Sequence, residues 1–261
     1  IKDHKIKGGN LIMNLTFGSD PEVFVCNRIN DKDYAVPVPY FINHHGIKPL
    51  EIDDDMKHPV IIKGEDFKVI MDGVAFEINV MPVKKSSEMY NHISNALNSI
   101  NDFAERYGYK LVIKPTIMYD YNYYNDTNDI LLKQCGIFGC DRDADAILPG
   151  YDSPEIDVTK HPYRYGGGHL HISDNNDIIN KYPIPFIKLL AITCGNYALS
   201  TSHYPELEKQ RSWKYGQPGR YRIQHYQDGI TGVEYRTPSN NWISDYSLID
   251  NMLSYAELAY S

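Results

Sequence analysis

Hydrophobic positions along the chain switch between a two-residue and a three-to-four-residue period, which predicts a protein built of both strands and helices. Leu15 to Val25 is rich in apolar and β-branched residues and reads as a strand interrupted by Pro21, a residue suited to an edge, a bulge or a strand end. Tyr34 to Lys63 reads as loop-rich with short strands, and a second long strand, Val69 to Val80, stops at Pro82. The clearest helix follows. Ser86 fits the N-cap, Tyr90, Ile93, Leu97, Ile100, Ala104 and Tyr107 recur at helical spacing, and Gly108 ends the run. Tyr109 to Met118 then reads as a strand and Tyr119 to Asp129 as a solvated loop. A strand is expected at Gly168 to Ser173, and a helix at Pro185 to Ser200, apolar nearly all round and hence expected to be buried. Arg220 to Tyr226 and Gly232 to Thr237 flank an Asp228-Gly229 turn and predict a hairpin. A last helix runs from about Asp245 to Ala259. Strands and helices follow no regular alternation, so an α+β fold is expected, a largely antiparallel curved sheet with helices on one face. With no repeat and no linker, residues 13–261 read as one domain; Met13 marks a native start if residues 1–12 are a leader or an expression remnant.

The 261 residues, 42% of them hydrophobic, can bury a sizeable core. No apolar run approaches the roughly 18–20 residues a membrane span needs, so neither insertion nor secretion is expected. A formal charge of −8 argues against a broad nucleic-acid-binding face. The four cysteines, Cys26, Cys135, Cys140 and Cys194, form no CxxC pair and fit reduced thiols in a cytoplasmic protein.

Against this background four segments stand out. In GSDPEVF, Asp20 and Glu22 lie two apart, which on a strand places both carboxylates on one face, either exposed or sharing a cation. In MDGVAFEINVMP, Asp72 and Glu77 interrupt an apolar run, as rim residues or as acids met by a partner or metal. In RYGGGHLHIS, His169 and His171 alternate after three glycines that permit close backbone approach; the pair suits metal binding and equally describes two half-buried histidines. In GRYRIQHYQDGITGVEYRTPSNNW, Glu234 and Arg236 share one strand face and Arg220 and Arg222 one face of the partner strand; across a hairpin the faces can coincide, which fits a cross-strand ion-pair ladder as well as a site. Together the segments supply acids, histidine and arginine in the mixture that holds Mg²⁺ or Mn²⁺ while guanidinium groups neutralise phosphate. Asp141, Asp143 and Asp145 imitate a calcium loop, but Ala146 and Asp152 stand where such a loop needs Gly and a bidentate Glu, so a solvated or substrate-side loop is expected.

In this order the four segments resemble the glutamine synthetase and glutamate–cysteine ligase superfamily, most closely its phage-encoded carboxylate–amine ligases. The resemblance runs from Gly18 to Trp242 and implies a glutamine-synthetase-like catalytic domain. It implies metal ligation by Asp20, Glu22, Glu77, His169 and Glu234, with Asp72 a further candidate. It assigns the nucleotide to His171, Ser173 and Arg222, and substrate or phosphate contact to Arg222 and Arg236; Arg164 and Arg211 are secondary candidates. Asp20 replaces the family's usual Glu. Too few residues precede Gly18 for the β-grasp domain of glutamine synthetases, so the amine is expected to be larger than ammonia.

The implied activity is ATP- and Mg²⁺- (or Mn²⁺-) dependent amide formation through an acyl phosphate, in the cytoplasm (the host's, if phage-encoded). The partners would be small-molecule or peptide carboxylates and amines, and the chain could oligomerise. The rivals are a guanidino-type small-molecule kinase, a metal-dependent hydrolase and a non-catalytic nucleotide-binding relative. Tyrosine is abundant, 22 in all, and fits half-buried strand positions better than an aromatic substrate wall.

Overall fold

The computed structural model describes residues 15–52, 58–119, 143–150, 161–226 and 229–261. Met13, Cys135, Cys140, Asp141, Asp152, Asp228 and most of the 119–129 loop lie outside them.

The expected first strand is two strands, β1 (Leu15–Ser19) and β2 (Glu22–Ile29), and they belong to different sheets. Pro21 stands at the junction, and its carbonyl accepts a bond from Ile78 N at 2.9 Å. The expected strand at 69–80 is likewise a hairpin, β5 (Phe67–Asp72) and β6 (Ala75–Val80), turning at Gly73, whose φ of 55° suits glycine. Pro115 similarly divides 109–118 into β7 (Lys110–Val112) and β8 (Thr116–Tyr119). Each correction has the same physical origin: apolar alternation continues through a tight turn, so the pattern alone does not show the chain reversing.

One sheet has the order β1, β11 (Leu170–Asp174), β13 (Thr231–Tyr235), β12 (Arg220–His225) and β9 (Ala144–Asp145), every pair antiparallel. The other runs β10 (Tyr163–Tyr165), β8, β3 (Lys32–Ala35), β2, β6, β5 and β4 (Val60–Lys63), with β7 also on β2. Only its β3–β8 pair is parallel among the described strands. The α+β class and the largely antiparallel pairing agree with the sequence.

The sheets share a helical layer. Helix α1 (Val38–His44) touches β5, and α2 (Ser86–Glu105) covers β5, β6 and β7 through a buried stripe of Met89, Ile93, Ala96, Ile100 and Ala104. Ser86 is the first helical residue rather than the cap, and its hydroxyl bonds Asp250 Oδ1 at 2.5 Å. Short helix α3 (Ile178–Lys181) and α4 (Pro183–Leu190) cover the other sheet, followed by a π-helical stretch at Ala191–Gly195 and α5 (Asn196–Ser200). This segment is not buried all round: Phe186, Ile187, Leu190 and Cys194 face inward, whereas Leu189 and Ile192 are exposed. Helix α6 (Pro205–Lys214) precedes the hairpin, and α7 (Tyr246–Tyr260), capped by Asp245, packs between α2 and α4. No described helix is long and apolar enough to cross a membrane.

Candidate metal and phosphate site

The site occupies the sheet face opposite the core. In β1 the residues Leu15 and Phe17 point into the core, so Thr16 and Gly18 take the other face. Antiparallel register then aligns Gly18, His171, Glu234 and Arg222 in one row across four strands, with Thr16, Ser173, Gly232 and Gln224 in the next. The coincidence of hairpin faces expected from the sequence is realised as Arg222 opposite Glu234.

Beside this row Asp20, His169 and Glu234 converge with ligand atoms within 4.8 Å of one another. His169 Nδ1 lies 3.2 Å from Asp20 Oδ1 and 3.3 Å from Glu234 Oε1, while Asp20 Oδ2 lies 3.1 Å from His171 Nε2. Arg236 contacts Glu234 Oε1, and Gln224 donates to Glu234 Oε2 at 2.5 Å. Positive groups thus balance the acids. Burial pushes the Asp20 carboxyl up, but the charges and hydrogen bonds of His171 and His169 hold it well below the carboxylate range. Glu234 is held at about 2: burial opposes ionisation, and the bond and charge of His169 with the Arg236 guanidinium outweigh it. His169 itself is raised, because the bonds and charges of Asp20 and Glu234 overcome burial and Arg236.

Asp20 and Glu22 do not share a strand face. The break at Pro21 sends Glu22 to a second cluster with Asp72 and Glu77, whose ligand atoms also fall within 4.8 Å. Glu22 and Glu77 are direct cross-strand partners on β2 and β6, and Asp72 reaches them from the turn end of β5. Here compensation is sparse. Glu22 Oε2 accepts from Gly167 N at 2.7 Å and Glu77 Oε1 from Asn79 Nδ2 at 3.0 Å, but among the described residues no Lys or Arg pairs with this trio. Burial, with the neighbouring Asp72 charge, lifts Glu22 to about 7. Burial and the Asp20, Asp72 and Glu22 carboxylates push Glu77 well above its usual value, and burial also raises Asp72. Like charges crowded out of water this way are relieved by a cation. The donor sets fit hard divalent ions: all oxygen in the second cluster, oxygen plus one imidazole in the first.

The backbone at the three glycines packs closely against other parts of the protein. A Cβ at Gly167 would come within 2.6 Å of His169 Nε2, and one at Gly168 within 2.7 Å of Trp242 Nε1. At Gly166 it would meet Lys114 O at 2.8 Å and the Asn240 amide. The close approach is therefore to the protein itself. It lets the 3₁₀ helix at Asn240–Ser244 hold the backbone beside both carboxylate clusters: Asn240 Nδ2 donates to Glu22 O at 2.7 Å and Trp242 Nε1 to Gly168 O at 2.8 Å.

The arginines divide by role. Arg236 is buried and engaged by Glu234, by Tyr215 OH at 2.6 Å and by Asp143 Oδ1 at 2.8 Å. Arg222 also pairs with Asp143, at 3.3 Å, but its side chain keeps 27% exposure. Arg211 does not face the site: it is buried and donates to the carbonyls of Thr237 and Pro238. Arg164 binds the carbonyls of His161 and Tyr163 and packs over Tyr119. Sequence reasoning missed Tyr215, whose hydroxyl lies 2.9 Å from His169 Nε2, and Tyr226, 2.9 Å from His171 Nδ1. Tyr226 was within reach, since it follows Arg222 and Gln224 at strand spacing; Tyr215 carries no local signal. Asp143, read as loop, is in fact an ion-pair partner of both site arginines.

No family model and no curated protein matches this chain. Among solved structures it is similar to a glutamine synthetase of Plasmodium falciparum, at 8% identity and a TM-score of 0.41 over 94% of this chain and 52% of that one. The chain thus spans about half the length of that structure.

Proposed function

We propose that the chain is an ATP- and Mg²⁺- (or Mn²⁺-) dependent carboxylate–amine ligase of the glutamine-synthetase kind. The observation that carries this reading is the adjoining pair of clusters, Asp20–His169–Glu234 and Glu22–Asp72–Glu77, beside the partly exposed side chain of Arg222. Bound there, divalent ions would screen the phosphate oxygens and the charge that develops as a phosphoryl group moves.

The chain's own residues do the rest. His171 and Ser173, on successive rows of the same sheet face, line the face on which the nucleotide lies. Arg222 offers charge to the transferring phosphoryl group, whereas Arg236, ion-paired with Glu234 and Asp143, positions Glu234 and Tyr215. A substrate carboxylate oxygen attacks the γ-phosphorus and ADP leaves. An amine then attacks the activated acyl carbon, phosphate departs with the former carboxylate oxygen, and the amine loses its proton.

Turnover with ¹⁸O-labelled carboxylate tests this directly. The proposal expects label in the released phosphate and strict dependence on the amine. A stable phosphorylated product formed without amine would instead make the protein a kinase, and turnover without ATP would make it a hydrolase.

A further inference from the structure

Away from these clusters, a groove of about 610 Å³ runs between the C-terminal half of α2, the strand β7, the segment at His203 and Tyr204, and the 3₁₀ helix at Asn240–Ser244. Its floor is apolar, from Leu97, Leu111 and Ile113, and its rim is polar. Lys110 is exposed at the rim, as is His203, while Lys114 is tied to Asp33 at 2.6 Å. The charges of Lys114 and Lys110 both act on Asp33, so the groove carries one more lysine than it has acids.

A second observation lies in the wall. Asn241 is only 3% exposed, and its Oδ1 accepts from His203 N at 3.3 Å, yet its Nδ2 is buried with no acceptor among the described residues. A buried donor left unmatched is costly, so a ligand that supplies the acceptor gains affinity.

From these features we infer that the groove binds a small molecule with an apolar body and a carboxylate. The body lies on Leu97, Leu111 and Ile113; the carboxylate meets Lys110 and, after a small rearrangement, the Asn241 amide. The placement gives the site reach. Asn241 is flanked by Asn240 and Trp242, the residues that hold Glu22 and Gly168, so a ligand seated on Asn241 bears on the same short helix that holds the backbone beside both carboxylate clusters.

The probe is 4-phenylbutyrate, compared with its uncharged isostere 4-phenylbutanamide, by ligand-observed NMR on the full chain. Two variants on exposed positions spare the fold: Lys110→Glu reverses the rim charge, and Asn98→Trp fills the groove. The expected result is binding of the acid, about tenfold weaker binding of the amide, and about tenfold loss in each variant at unchanged melting temperature. Equal binding of acid and amide, or acid binding that survives both variants, overturns the proposal. Neither outcome touches the metal and nucleotide reading, because the experiment contains no ATP or divalent ion.

Discussion

The two carboxylate clusters have nearly the same number of acids within the same few ångströms but opposite electrostatics. Around Asp20 and Glu234 the protein has placed His169, His171 and Arg236, and both acids stay ionised at low pH. Around Glu22, Asp72 and Glu77 it has placed an amide, a backbone N–H and other acids; the opposing charges of His58 and His169 do not outweigh burial, and all of the carboxyls are raised. The contrast teaches that the first cluster is compensated by its own cationic neighbours, whereas the second is left with raised carboxyls that a cation would relieve.

Removing an acid should therefore have opposite consequences in the two places. Glu234→Ala leaves Arg236 and His169 buried without their shared partner and should destabilise the protein by about 3–5 kcal/mol, read from denaturant unfolding. Glu77→Gln should instead stabilise the metal-free protein by about 1–2 kcal/mol, since it removes a charge from a crowded buried trio. In calorimetry the same variant should lose about tenfold or more in Mn²⁺ affinity. Destabilisation by Glu77→Gln without metal would erase the distinction between the clusters.

The pH response sharpens the same comparison. Glu22 titrates at about 7 in the fold, above its ordinary value of 4.5. Its contribution to metal-free stability is thus fully present below pH 4.5 and is lost as pH rises through 7. Glu234, held at about 2, works in reverse: its stabilisation is present above 4.5 and disappears as pH falls toward 2. Unfolding midpoints measured in chelator from pH 4 to 8 should fall with rising pH, and saturating Mg²⁺ should flatten that fall. The smallest effect is expected at Asp143. Asp143→Asn frees Arg222 and Arg236 from an internal anion and should tighten pyrophosphate binding about threefold, measured by competition.

Much of the site was legible because its members sit in short motifs on strands. Acids, histidines and arginines among apolar neighbours, in the order Asp20, Glu77, His169 and Glu234, marked the residues that the fold brings together. What spacing concealed was where the chain turns. Pro21 separates Asp20 from Glu22 into different clusters, and Gly73 folds Asp72 back beside Glu77, because alternation reads the same through a reversal. Tyr215 and Asp143 reach the site from segments remote from the residues they touch, with no periodic mark. The helix expected at 185–200 is present, but its burial was overread for a related reason: periodicity reports an apolar surface, not what covers it.

Electron paramagnetic resonance of the protein titrated with Mn²⁺ tests the central claim most directly. Two ions bound close enough to couple magnetically, one lost in Glu77→Gln and the other in His169→Ala, is the result this account predicts. Binding of a single ion, or of none below millimolar Mn²⁺, would contradict it.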